Sequence, residues 1–226
     1  MAVEYREEPC RSALNRVQGM PFKWSLNPYM GCAHRCTFCY VRAFERRADR
    51  PSDDRYGTSI RVKVNVPEVL ARELARPGWK RESVAIGAAT DPYQPVEGKY
   101  RLTRGCLRAL SAARNPFSLI TRGPMIVRDV DVLQHAAQRA DVDVTFSVPT
   151  LDPDIWRRTE PGTAPPGKII AAISSPSSRI VANLNARSRA LRGSRPGLRW
   201  PPLSGCTPWP REKGRSRRER SAPPRG

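Results

Sequence analysis

No stretch of 18 or more apolar residues occurs in the 226-residue chain, so no membrane-spanning helix is expected. The amino-terminal MAVEYREEPCRS has no apolar core of the kind an export signal carries, and the chain is read as cytoplasmic. Histidine is scarce, with two residues, and no second C-x2-C or distant Cys/His pair is present to close a tetrahedral zinc site. No glycine-rich phosphate fingerprint follows any strand-like segment, which argues against a nucleotide-binding open sheet. Cysteine is sparse too, with six residues at 10, 32, 36, 39, 106 and 206. Without an export route they are not expected to form a disulfide framework.

What the chain has in excess is positive charge, but unevenly. Residues 1–166 hold 26 Lys and Arg against 19 Asp and Glu, an ordinary surplus for a soluble enzyme, whereas residues 167–226 hold 14 against 2. Those last 60 residues contain 12 Arg, 9 Ser and 8 Pro and no Asp, Phe, Tyr, Met or His, a composition that cannot bury enough apolar surface to order itself. Two readings stay open for this segment: a disordered basic tail, or a reading frame that has slipped near Pro166. The abrupt stop of a regular pattern favours the slip.

That pattern is α/β. Strand-like segments at 23–29, 59–65, 83–89, 117–121 and 142–148 alternate with helix-like ones at 37–47, 67–76, 102–113, the stretch after 121, and 151–158. Pro67 stands in a first helical turn, where proline fits. Five βα units in series predict parallel strands joined by right-handed crossovers, as an open sheet or a partial barrel. In either form, sites gather at the carboxyl ends of the strands. The polar residues there are Asn65, Thr90, Asp91, Thr121, Arg122 and Ser147. The division expected is an amino-terminal extension over 1–22, a core over 23–166 and the basic tail over 167–226.

The chemistry sits in GCAHRCTFCY, residues 31–40, where Cys32, Cys36 and Cys39 are spaced C-x3-C-x2-C. Thiolates suit zinc or iron–sulfur clusters. Zinc in a structural site takes a fourth protein ligand, and the one candidate, His34, lies inside the loop. Three thiolates instead leave one iron of a 4Fe–4S cluster open to another ligand. Cys106 lies on an apolar helical stripe with Leu102 and Leu110 and reads as buried structure. Cys10 precedes the core and Cys206 falls in the tail. His34 and His135 are both read as exposed rather than catalytic.

This spacing, the aromatic Phe38 before the last cysteine and the position after a first strand resemble the radical S-adenosylmethionine (SAM) superfamily. The segments NPYMGCAHRCTFCYVRAF, IRVKVNVPEVLARELARPGWKRE, ATDPYQPVEGKYRLTRGCLRAL, LITRGPMIVRDVDVL and VTFSVPTLDPDIWRRTEPGTAPP are similar to its spore photoproduct lyase-related branch. The resemblance implies a partial TIM-type barrel of about six βα units, five of them recognisable here. It implies a 4Fe–4S cluster on Cys32, Cys36 and Cys39, and SAM as the second cofactor. It also implies that Thr90 approaches the methionine part of SAM, that Arg122 pairs with its carboxylate, and that Ser147 contacts ribose or carboxylate. Asp91 is a candidate for orienting a ligand or capping the following turn, a role Thr-Asp-Pro commonly fills. Tyr93 and Gln94 either line the cavity or form a rigid loop between Pro92 and Pro95.

The function expected is reductive cleavage of SAM to a 5′-deoxyadenosyl radical, with an electron donor such as flavodoxin or ferredoxin as partner, an unassigned substrate and no membrane. The lyase carries a hydrogen-donor cysteine just before the equivalent of Thr90, and this chain has Ala89, so DNA repair is not assigned. Nucleic acid stays open as a partner: the second class weighed is a metal-dependent nucleic-acid binder, whose affinity would depend strongly on salt. The third is an inactive fragment that keeps the loop without a closed barrel.

Overall fold

The computed structural model describes residues 2–174. Of the basic tail expected over 167–226, residues 167–174 are described and helical, with Ile169 buried; the readings of the rest, including the frame slip, lie outside the described residues. The strands are β1 (Glu4–Glu8), β2 (Leu14–Arg16), β3 (Trp24–Leu26), β4 (Tyr29–Met30), β5 (Ser59–Lys63), β6 (Val84–Ile86), β7 (Phe117–Thr121) and β8 (Val142–Phe146). The helices are α1 (Val41–Arg47), α2 (Val66–Leu74), α3 (Glu97–Tyr100), α4 (Leu102–Ala112), α5 (Val130–Ala137), α6 (Pro153–Thr159) and α7 (Pro166–Ser174), with a 3-10 turn over Pro124–Asp129. Among the described residues no helix is long and apolar enough to cross a membrane.

The main sheet has the order β2-β3-β6-β7-β8, with β3, β6, β7 and β8 parallel and β2 antiparallel at its edge. The fold is α/β, of the partial-barrel kind. Its register places Leu26, Ile86, Leu119 and Val144 in one row and Trp24, Val84, Phe117 and Val142 in another. Apart from Trp24, which is half-buried against them, these rows belong to the core with Val69 and Leu70 of α2, Leu102, Cys106, Leu107 and Leu110 of α4, and Leu133 of α5. Each such side chain, fully buried, contributes about 1.5–3 kcal/mol. Cys106 is fully buried there, as its apolar stripe predicts.

Three expectations change. The first strand, expected over 23–29, breaks at Asn27–Pro28 into β3 and β4, because proline has no N–H to give to a ladder. The two halves then enter different sheets. β4 pairs antiparallel with β5, and β5 pairs parallel with β1, forming a second sheet of order β1-β5-β4. The second expected strand, 59–65, therefore stands outside the parallel run, and β3 pairs directly with β6. Residues 1–22, expected as an extension, contribute a strand to each sheet: β1 lies against β5 and β2 against β3. The boundary placed at Pro166 coincides with the first residue of α7.

Candidate metal centre

The cysteine loop leaves β4 at Gly31, whose φ of +90° is open to glycine and strained for other residues. A Cβ there would stand 2.8 Å from the Ser59 carbonyl oxygen. From this point the loop is held mainly through its backbone. On the inner side, the fully buried Gln94 accepts from the Ala33 amide at 2.9 Å and donates to the Gly31 carbonyl at 3.2 Å and to Thr90 Oγ1 at 2.9 Å. Thr90 Oγ1 in turn donates to the Gly31 carbonyl at 2.6 Å. On the α1 side, Arg42 donates to the carbonyls of Cys36, Arg35, Ser52 and Asp53 and lies over the Tyr56 ring. On the outer side, the Thr37 amide donates to Thr159 O at 2.9 Å and the Gly162 amide to His34 O at 3.0 Å. Gly57 and Gly162 permit this closeness, since a Cβ on either would stand 2.2 Å from Cys32 O and 2.1 Å from Ala33 O respectively.

With the backbone engaged, the thiols remain for a ligand. Cys32 and Cys36 are buried and Cys39 is half-buried, its Sγ 3.4 Å from Tyr56 Oη. Burial pushes the Cys36 thiol up to about 12, against the pull of Arg122, and Cys32, Glu160 and Cys39 add to the rise. The thiol therefore holds its proton at neutral pH, and ligation must displace it. Among the described residues no three His, Cys, Asp or Glu side chains gather as a site for a single metal ion. A polynuclear cluster makes a different demand, because each thiolate ligates its own iron and the sulfurs stay apart. The donor set, three thiols on one braced loop, fits such a cluster.

His34 is buried, not exposed as expected from sequence. Its Nδ1 lies 3.4 Å from Asp91 Oδ2, near enough for an ion pair but not aligned as a hydrogen bond. Burial pulls the imidazole down, but Asp91 and Cys32 together push it up to about 10. His135 is exposed.

The four strand-end candidates come together beside this loop. Asp91 is buried, and each of its oxygens is occupied. Oδ1 accepts from the Tyr93 amide at 2.8 Å and Thr121 Oγ1 at 2.7 Å, and Oδ2 accepts from the Arg122 amide at 2.9 Å while facing His34. It caps its turn and ties the ends of β6 and β7 to the loop. Arg122 donates to Ser147 Oγ at 3.0 Å, lies over the Phe38 ring at 5.4 Å and faces Glu160 Oε1 at 3.0 Å. Tyr93 and Gln94 are the rigid loop: Tyr93 Oη donates to Asp129 at 3.0 Å, and both residues are buried. Arg42, Gly57, Glu160 and Gly162 were not singled out from sequence. The one signal for the last two was Glu-Pro-Gly directly after a helix.

The family model of the radical SAM superfamily matches residues 26–175. An uncharacterized protein of Mycobacterium tuberculosis (strain ATCC 25618 / H37Rv) is 39% identical over 176 residues, 76% of this chain and 52% of that protein. An uncharacterized protein of Methanocaldococcus jannaschii is 22% identical over 153 residues, 68% of this chain and 54% of that protein. The chain spans about half the length of the curated relatives it matches. Among solved structures, spore photoproduct lyase complexed with dinucleoside spore photoproduct aligns with a TM-score of 0.58 at 15% identity, over 80% of this chain and 48% of that one. A mutant of that lyase with bound AdoMet and the same dinucleoside gives 0.58 at 15% identity, over the same shares. At such identity the likeness is one of fold.

Proposed function

The chain belongs to the radical SAM superfamily, and we propose that it is an enzyme whose loop holds a 4Fe–4S cluster on Cys32, Cys36 and Cys39, with S-adenosylmethionine as second cofactor. When bound, the cluster supplies the electron that cleaves SAM reductively to a 5′-deoxyadenosyl radical. The observation that carries this reading is the loop itself: its backbone is braced on three sides while its thiols are left for a ligand.

The remaining tasks fall to the chain's own side chains. Gln94 and Arg42 fix the loop before any ligand arrives, so the thiols are placed without further ordering. Arg122 and Ser147, adjacent at the ends of β7 and β8, offer a cation and a hydroxyl to a carboxylate. Thr90 and Asp91 act from behind, through the Gly31 carbonyl and the Arg122 amide. The half-buried Cys39 and the exposed Phe38 and Tyr40 put one side of the loop near solvent, where an electron donor of the flavodoxin or ferredoxin kind can approach. Ala89, whose amide donates to Asn27 Oδ1 at 2.9 Å, has no thiol hydrogen to give, so DNA photoproduct repair is not part of this reading.

The test is anaerobic reconstitution followed by dithionite and SAM. Formation of 5′-deoxyadenosine, absent in Cys36→Ala, supports the proposal. A reconstituted protein that carries iron and yields no 5′-deoxyadenosine overturns it.

A further inference from the structure

The segment after β8 touches the cysteine loop at more points than an ordinary connection requires. Thr159 O accepts from the Thr37 amide, His34 O accepts from the Gly162 amide, and Gly162 Cα lies so near Ala33 O that a Cβ would stand 2.1 Å from it. Glu160 heads this turn. Its amide donates to Trp156 O at 2.8 Å, and Thr163 Oγ1 donates back to Glu160 O at 3.0 Å while accepting from Trp156 Nε1 at 2.8 Å. The turn is therefore tied to α6 as well as to the loop.

The Glu160 side chain is the odd part. It is 2% exposed, and burying a carboxylate costs several kcal/mol unless it is paired. An amide or apolar residue would close the turn without that cost. Its cationic partner is Arg122 Nη1 at 3.0 Å, and Thr163 Oγ1 approaches the other oxygen at 3.4 Å. Neither Glu160 Oε1 nor Arg122 Nη1 has an aligned hydrogen bond, so what joins them is charge. Ser147 and the Phe38 ring hold the same guanidinium from its other sides. Phe38 stands between Cys36 and Cys39 in the loop.

We propose that Glu160 is a positioning residue: it fixes Arg122 against the cysteine loop, and the turn it heads seats that loop from the outside. The pair then sets one positive and one negative charge against the loop segment between Cys36 and Cys39, the guanidinium lying 5.4 Å from the Phe38 ring and 3.0 Å from Glu160. The seat half of the proposal stands on the fold alone. The charge half rests on the cluster reading above.

Two measurements test the halves separately. In the unloaded protein, amide hydrogen exchange reads the seat. Gly162→Ala should speed exchange at Thr37 at least tenfold while the amides of β6 and β7 stay protected, and unchanged exchange at Thr37 overturns the seat. In the reconstituted protein, the cluster's midpoint potential reads the charges. Glu160→Gln should shift it positive, Arg122→Gln negative, and the double variant should return it toward wild type, which damage to packing alone would not do. Potentials that do not move, or that move the same way in both single variants, overturn the charge role. A wild-type protein that assembles no cluster removes the charge half together with the cluster reading, while the exchange data still decide the seat.

Discussion

The cysteine loop and the ion network around Glu97 are both buried and densely hydrogen-bonded, yet they engage their polar atoms in opposite ways. In the network, side chain mainly meets side chain, although Glu97 also accepts from the Thr103 amide at 3.0 Å. Glu97 accepts from Arg128 at 2.8 Å and from Tyr29 Oη by a short hydrogen bond, and Asp129 accepts from Tyr93 at 3.0 Å and Arg104 at 2.9 Å. Both carboxylates are fully buried. Little remains there for a ligand, and the cluster of charges reads as scaffold. In the loop, the contacts fall mainly on backbone amides and carbonyls, and the three cysteines form no disulfide, Cys39 Sγ meeting only Tyr56 Oη at 3.4 Å. A region whose backbone is braced and whose thiols are held by no disulfide is the better candidate for chemistry, whatever the density of charge elsewhere.

Arg122 gives the largest expected departure from that contrast, because it serves both scaffold and site. Arg122→Ala should weaken SAM binding by about 1.5–3 kcal/mol, roughly ten- to a hundredfold, as lost charge-assisted contacts do. It also strands Glu160 as an unpaired buried carboxylate, which costs about 3–5 kcal/mol of stability. Adding Glu160→Gln should recover most of the stability and none of the SAM affinity. Calorimetric titration and thermal unfolding of the two variants check both parts, and full SAM affinity in Arg122→Ala would assign Arg122 to scaffold alone.

Gln94→Leu should come next. It orphans the Ala33 amide inside the loop, at about 1–3 kcal/mol, and iron loss to a chelator should accelerate roughly tenfold. An iron-release rate equal to wild type would show that the loop does not depend on its inner brace.

Arg104→Gln should have the smallest effect on the site. It breaks contacts to Asp129 and Asp131, at 2.9 Å and 2.6 Å, and should lower the melting temperature without changing iron content or SAM affinity. Its signature is in acid. The Arg104 hydrogen bond holds Asp131 at about 2, below its usual 3.8. The resulting stability is present above about 3.8 and lost as pH falls toward 2. The variant should lack that acid limb, and a pH series of melting curves shows whether it does.

The cysteine triplet at the centre of the candidate site was legible because C-x3-C-x2-C is a local pattern that needs no tertiary knowledge. The strand ends were legible for the same reason, as periodicity placed Thr90, Arg122 and Ser147 near the carboxyl ends of successive strands. What escaped depends on partners far apart in sequence. Gln94 reaches Ala33 across 61 residues, and Glu160 meets Arg122 only after the chain has formed β8 and α6. His34 read as exposed because nothing near it in sequence shows Asp91 waiting at the end of β6. The broken first strand had a visible cause in Pro28, but the choice of β1 and β4 as partners for β5 is a matter of sheet assembly.

The most direct test of the account is an iron and sulfide count on anaerobically reconstituted chains across the cysteines. The wild type should hold about four irons and four sulfides per chain. Cys32→Ala, Cys36→Ala and Cys39→Ala should each abolish the brown colour, and Cys10→Ala and Cys106→Ala should keep it. One zinc per chain in the wild type, or loss of iron in Cys106→Ala, would contradict the assignment of the cluster to this loop.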